Sequence, residues 1–251
     1  MLVDFTKEKY DIVVMAGQSN GYGFGLGKVT EPYEAFDKVW YLDEDFTVFM
    51  AREEGHGNFV RSDLSLIFAR EYVKSGRLVE GRKLLIVRAS PGNRENMGGG
   101  FLNRCWGPGD FMRERMFRQT ETALALNPEN RIVAFLWQQG ETDSIKQASY
   151  ETHYGNLLRL IIDFMKAFPN QKFPFLAGNM VPQWIGNNMD ITAPVVRAIK
   201  DVCAAVGGRF VESEGLTSNY QVLDATDDTI HFSREGIYGL GERYFKLFDS
   251  L

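Results

Sequence analysis

Apolar runs of strand length recur along this chain without in/out alternation, and helix-length periodic stretches separate them. The runs lie at 10–16, 83–89, 131–137 and 173–180, with a shorter one at 209–212. A strand that is apolar on both faces must be covered on both faces, as in a parallel sheet. Residues 39–42 and 46–50 can form a further extended pair. The helical stretches are 63–76, 111–126, 149–168, 190–206 and 234–248. Ser62 is the expected N-cap of the first and Gly76 its stop. Ser233 is expected to cap the last, with Glu235 in its first turn. The stretch 182–188 reads as a loop. Right-handed crossovers between parallel strands put helices on both faces of the sheet. The expectation is a three-layer α/β/α sandwich with a roughly five-stranded parallel sheet, flavodoxin-like, forming one domain over residues 1–251.

Composition agrees with that class and narrows the partners. The 251 residues carry 28 Lys and Arg against 33 Asp and Glu, a net charge of −5. Such a balance lacks the basic surface that drives nucleic-acid binding or docking on anionic membranes. No run approaches the ~20 apolar residues a membrane span needs. The N-terminus has no basic, apolar and small-residue succession of a signal peptide, so the chain as it stands reads as cytoplasmic. Cys105 and Cys203 are far apart and in no metal-ligand spacing, and are expected to be buried or half-buried thiols. With three histidines, His56, His153 and His231, a structural zinc site is not expected.

In doubly wound sheets the chemistry lies beyond the carboxyl ends of the strands. Gly17-Gln18-Ser19-Asn20-Gly21 follows the first run. It fits G-x-S-x-G, in which a sharp turn exposes a serine, and it equally fits a plain glycine-rich turn. The continuation to Lys28 is no phosphate cradle: a P-loop needs glycine where Tyr22 stands and Ser or Thr where Val29 stands. Ser90-Pro91-Gly92-Asn93 follows the 83–89 run, where Gly92 can offer a bare backbone N–H or form an ordinary turn. Gln138-Gln139-Gly140-Glu141-Thr142-Asp143 follows the 131–137 run. An amide there can donate to an oxyanion, oriented by a nearby carboxylate, or simply belong to a polar capping loop. Near the C-terminus Asp228 and His231 are three apart, so a turn brings both to one side, where the carboxylate can fix the imidazole tautomer. His153, inside a helix beside Glu151 and Tyr154, and His56, in a loop, have no carboxylate placed by a turn after a strand. Taken together, these loops supply a nucleophile, a base, an orienter and oxyanion donors at one sheet edge.

The blocks resemble those of the SGNH hydrolases, within them the sialate O-acetylesterase-like group that includes carbohydrate esterase family six. Gly17-Gln18-Ser19-Asn20 is similar to the family's first block. Trp137 to Asp143 matches its W-x-Q-G-E-x-D block, and Asp228 to His231 its D-x-x-H. Pro91-Gly92-Asn93 departs from the usual Gly-Gly followed by Ser or Thr. The resemblance implies Ser19 as nucleophile, His231 as general base and Asp228 as its orienter. It implies an oxyanion hole from the Ser19 and Gly92 backbone N–H groups and the Gln139 side chain, supported by Gln18, Asn20 and Glu141. Glu141 would buttress the site or share in orienting the histidine. The implied activity is removal of acetyl groups from a small-molecule or polysaccharide acetyl ester, such as an acetylated sugar, xylan or sialic acid. It implies no cofactor, metal, nucleic acid or membrane, and is silent on oligomeric state. A non-catalytic carbohydrate-binding protein on the same fold, or a lipase or thioesterase of the same superfamily, are the alternatives. Tyr22, Phe24, Trp106 and Trp184 are candidates for a sugar platform or for loop packing.

Overall fold

A computed structural model describes residues 4–56, 59–90, 98–223 and 226–251. The elements begin with β1 (Lys9–Gly17), α1 (Ser19–Tyr22), β2 (Val39–Leu42), β3 (Val48–Met50), β4 (Glu54–His56), β5 (Phe59–Arg61), α2 (Leu64–Lys74) and β6 (Arg82–Ala89). Next come α3 (Phe111–Ala125), β7 (Arg131–Gln138), α4 (Glu141–Ile145), α5 (Tyr150–Ala167) and β8 (Phe175–Gly178). The chain closes with α6 (Pro182–Asn187), α7 (Met189–Ala205), β9 (Arg209–Val211), α8 (Asn219–Val222) and α9 (Arg234–Asp249).

The architecture is α/β, with a mixed seven-stranded sheet in the order β3-β2-β6-β1-β7-β8-β9. Neighbours pair in parallel except β3, which runs antiparallel to β2 at one edge. The sheet is thus wider than the five strands expected, because the extended pair joins its edge rather than standing apart. A separate hairpin of β4 and β5 forms a second, two-stranded sheet.

The apolar runs are buried because helices cover both sheet faces. In β7, Phe135 packs on Phe164 of α5. Gln138, an odd number of positions on, accepts from the Tyr244 hydroxyl of α9. Side chains alternate along a strand, so α5 and α9 lie on opposite faces. Phe117 of α3 joins the α5 layer, and Phe68 of α2 joins α9 through Phe245. From Tyr10 to Ala16, every residue of β1 is buried, as the absence of alternation predicts.

Local differences have local causes. Asp63, not Ser62, caps α2, its carboxylate accepting from the Ser65 and Leu66 amides. An ionised acceptor there also meets the positive end of the helix. Gly76 follows the helix in the left-handed region at φ 80°. Residues expected as a loop after β8 form the short helix α6, with Pro182 at its first position, where a missing N–H costs nothing. The cap expected for α9 holds, Ser233 accepting from Gly236 N, and Ser149 caps α5 by accepting from Thr152 N.

Candidate active site

β1 is central in the sheet, and its carboxyl end delivers Ser19. Gly17 closes the strand at φ 142°, and a Cβ there would lie 2.0 Å from the Gln138 carbonyl oxygen of β7. Only glycine lets the two strand ends approach this closely. The Gln18 amide then donates to that same carbonyl at 2.9 Å. The chain turns at once into α1, whose first residue is Ser19. Its N–H therefore belongs to the first helical turn, where amides have no partner within the helix.

Three residues named from the sequence form one hydrogen-bonded chain. His231 Nε2 lies 2.9 Å from Ser19 Oγ. His231 Nδ1 lies 2.9 Å from Asp228 Oδ2 and 3.0 Å from Oδ1. A carboxylate accepts only, so Nδ1 carries the proton and Nε2 is left to accept from the serine. Asp228 Oδ1 also accepts from the His231 backbone N–H at 3.1 Å. Burial pushes the Asp228 carboxyl up, but the hydrogen bonds and charge of His231, with a bond from Asn219, hold it below its ordinary value of 3.8.

The supporting residues tie the turn after β1 to the segment after β7. Gln18 Oε1 accepts from the Thr142 amide at 3.3 Å. Asn20 Nδ2 donates to Glu141 Oε1 at 2.6 Å and to the Ile230 carbonyl at 3.0 Å. Asn20 Oδ1 accepts from Phe232 N at 3.0 Å. Asn20 therefore holds both neighbours of His231. Glu141 is fully buried, and its Oε2 has no hydrogen-bond partner among the described residues. Burial raises its carboxyl above 4.5 against the opposing pull of Asn20.

Gln139 is buried and donates from Nε2 to Asp143 Oδ2 at 2.7 Å. Asp143 also accepts from Phe101 N at 3.2 Å and Leu102 N at 3.0 Å. It is the carboxylate that orients the amide, and it fixes which end of that amide is nitrogen. His153 Nδ1 lies 3.3 Å from Asp143 Oδ2, with both side chains fully buried. This corrects the expectation that His153 lacks a carboxylate from a loop after a strand: α5 carries it over α4, which begins beside the end of β7. Burial pushes the Asp143 carboxyl up, while His153, the Leu102 amide and Gln139 bring it below its ordinary value. Gly92 lies outside the described residues, as does the side chain of His56.

Of the aromatic candidates, Trp106 and Trp184 are buried packing residues. Tyr22 and Phe24 are half-buried, their rings stacked at 5.3 Å, and the Phe24 ring lies 5.3 Å from that of His231. Cys105 and Cys203 are buried free thiols. Asn219 was missed from the sequence. Its Nδ2 donates to Asp228 Oδ2 at 2.9 Å, and it sits nine positions before that residue in no motif. Among the described residues, no group of three or more His, Cys, Asp or Glu is placed to hold a metal ion. No helix among them is long and apolar enough to cross a membrane.

The crystal structure of NanS is similar over 97% of this chain and 98% of that one, with a TM-score of 0.76 at 16% identity. A protein from Arabidopsis thaliana covers 96% and 98%, with a TM-score of 0.70 at 18% identity. Est24, a carbohydrate acetylesterase from Sinorhizobium meliloti, covers 96% and 97%, with a TM-score of 0.51 at 15% identity. At these identities the likeness is one of fold. No curated protein matches the chain at a significant level. The model of the carbohydrate esterase, sialic acid-specific acetylesterase family matches residues 9–250, and the chain belongs to that family of acetylesterases.

Proposed function

We propose that the chain removes O-acetyl groups from carbohydrates by acyl transfer through Ser19, His231 and Asp228. The observation that carries this reading is the unbroken relay from Ser19 Oγ through the His231 ring to the Asp228 carboxylate, both links at 2.9 Å. Ser19 Oγ attacks the acetyl carbonyl as its proton passes to His231 Nε2. The Asp228 carboxylate stabilises the imidazolium that forms. The Ser19 backbone N–H and the second Nε2 proton of Gln139 are the proposed oxyanion donors. The resemblance adds Gly92 as a third. The tetrahedral intermediate collapses, the C–O bond to the sugar breaks, and His231 returns its proton to the leaving hydroxyl. Water, deprotonated by His231, then attacks the acetyl-serine, releasing acetate and restoring Ser19.

Acetylated carbohydrate is the substrate class that the family membership supports. The polar, glycine-rich segment at 17–27 favours a polar alcohol over a long acyl chain. The test is hydrolysis of 4-nitrophenyl acetate by the wild type, Ser19→Ala and His231→Ala, beside 4-nitrophenyl esters of longer acids, followed by a panel of acetylated sugars. The reading expects preference for acetate and loss of turnover in both variants. Three equally inert folded proteins would overturn it in favour of a binding role. Preference for long acyl chains would move it to a lipase or thioesterase.

A further inference from the structure

Asn219 opens the four-residue helix α8 and is 1% exposed. Both of its Nδ2 protons and its Oδ1 are engaged. Nδ2 donates to Asp228 Oδ2 at 2.9 Å and to the Phe24 carbonyl at 3.0 Å. Oδ1 accepts from Leu26 N at 2.7 Å. The backbone adds two bonds: Asn219 N donates to the His231 carbonyl at 3.0 Å, and Tyr220 N to the Asp228 carbonyl at 2.9 Å. Both ends of the Asp228–His231 turn thus hang from the first turn of α8. The segment held at Phe24 and Leu26 carries the aromatic ring that packs against the imidazole at 5.3 Å.

We infer that Asn219 is a positioning residue for the acetyl-transfer site. Its carboxamide fixes the Asp228 carboxylate and, through Phe24, the ring of His231. This inference rests on the roles proposed for Ser19, His231 and Asp228. The physical need is specific. Asp228 presents its two oxygens to Nδ1 at nearly equal distances, 3.0 and 2.9 Å. A second donor on Oδ2 holds the carboxylate plane while the imidazole gains and loses charge. That donor has to be neutral, because a lysine or arginine there would pair with Asp228 and compete with the imidazolium. It must also accept from Leu26 N while donating to both Asp228 and Phe24, and a hydroxyl has only one proton to donate. Asparagine meets all three demands with one planar group.

The experiment compares the wild-type chain with Asn219→Ala, Asn219→Asp and Ser19→Ala on 4-nitrophenyl acetate. Thermal unfolding and the low-field proton resonance of His231 Nδ1–H are recorded for each. A lost hydrogen bond to a charged group corresponds to about 10–100-fold, so kcat of Asn219→Ala is expected to fall by that factor with KM nearly unchanged. Its Nδ1 proton is expected to shift or broaden. Asn219→Asp keeps the shape and the acceptor for Leu26 N but sets a carboxylate against Asp228, and is expected to lose at least as much. Wild-type kcat and an unmoved Nδ1 resonance in folded variants, even with a lower Tm, would make Asn219 merely structural and overturn the inference. If neither variant folds, the side-chain amide resonances of Asn219 are compared between the wild type and Asp228→Asn. A shift supports the coupling and no shift overturns it. Ser19→Ala separates the two levels: if it retains full activity, the proposed roles fail, whatever Asn219 does.

Discussion

Asn20 and Glu141 stand 121 positions apart in the chain and 2.6 Å apart in the fold, both fully buried. Their bond fastens the turn after β1 to the start of α4. The same asparagine grips Ile230 and Phe232 on either side of His231. The proposed nucleophile and base, from opposite ends of the chain, are therefore set against each other through one buried polar pair. Asn20 donates and Glu141 only has to accept, so the link needs an oxygen but not a charge. Glu141→Gln is expected to retain most of the activity. Glu141→Ala leaves a buried donor unmatched and is expected to lose about 10-fold or more in kcat. Equal loss in both variants would show that the charge itself matters.

The same carboxyl has a stability signature. Its folded-state value is raised above 4.5 by burial. Below that pH, native and unfolded chains both hold the proton and there is no penalty. As pH rises from 4.5 through the raised value, the unfolded chain gives up its proton first, and native stability falls. Glu141→Gln lacks this titration. Its Tm relative to the wild type is expected to climb over that window, as read by unfolding scans at a series of pH values. A pH-independent difference would contradict the raised carboxyl.

The sheet could be read from residues such as Ile12, Val13 and Val14 because burial on both faces removes alternation, a signal that survives in one dimension. The serine, the D-x-x-H pair and the QGE block were readable because their spacing is local. What was missed depends on three-dimensional contact. His153 meets Asp143, ten positions earlier, across the turn that joins α4 to α5. Asn219 meets Asp228 across a loop with no fixed spacing. Pro182 and Gly186 made α6 look like a loop, although a proline at the first helical position is favourable. The pair of β2 and β3 was visible as two extended runs, but its place at the edge of the main sheet, with β2 beside β6, was not.

Gly17 is predicted to be irreplaceable. At φ 142°, with the Gln138 carbonyl 2.0 Å from the missing Cβ, Gly17→Ala forces the ends of β1 and β7 apart. Strain of this kind costs on the order of 1–3 kcal/mol before any clash is counted. Denaturant unfolding is expected to show at least that loss, accompanied by lower kcat because Ser19 and Gln139 ride on the two displaced ends. A variant with wild-type stability would rule out the close approach.

Asp143 is predicted to act through Gln139. Asp143→Asn keeps the size but replaces one acceptor with a donor that faces the Gln139 amide or the Phe101 and Leu102 N–H groups. If Gln139 turns away, one proposed oxyanion donor is lost, a change that typically costs ~10²–10³ in kcat. The Gln139→Ala variant provides the check. In the double variant the two losses are expected not to add, since they remove the same donor. Additive losses would separate Asp143 from the oxyanion site.

Asp228→Asn tests the relay and its pH dependence together. An amide at this position would offer its oxygen or its nitrogen to His231 Nδ1, and the wrong choice selects the tautomer that protonates Nε2. In a serine–histidine–aspartate site that change costs about 10⁴ in kcat. For stability the sign is opposite to that of Glu141. The Asp228 carboxyl is held below 3.8 in the native state. Its contribution is therefore present above the unfolded value and disappears as pH falls through the lowered folded one. The wild type is expected to exceed Asp228→Asn in stability at neutral pH, with the gap narrowing below 3.8. Unfolding free energies measured by urea titration from pH 7 down to pH 3 check this. A gap that widens toward acid would mean that Asp228 is not the stabilised carboxylate of the site.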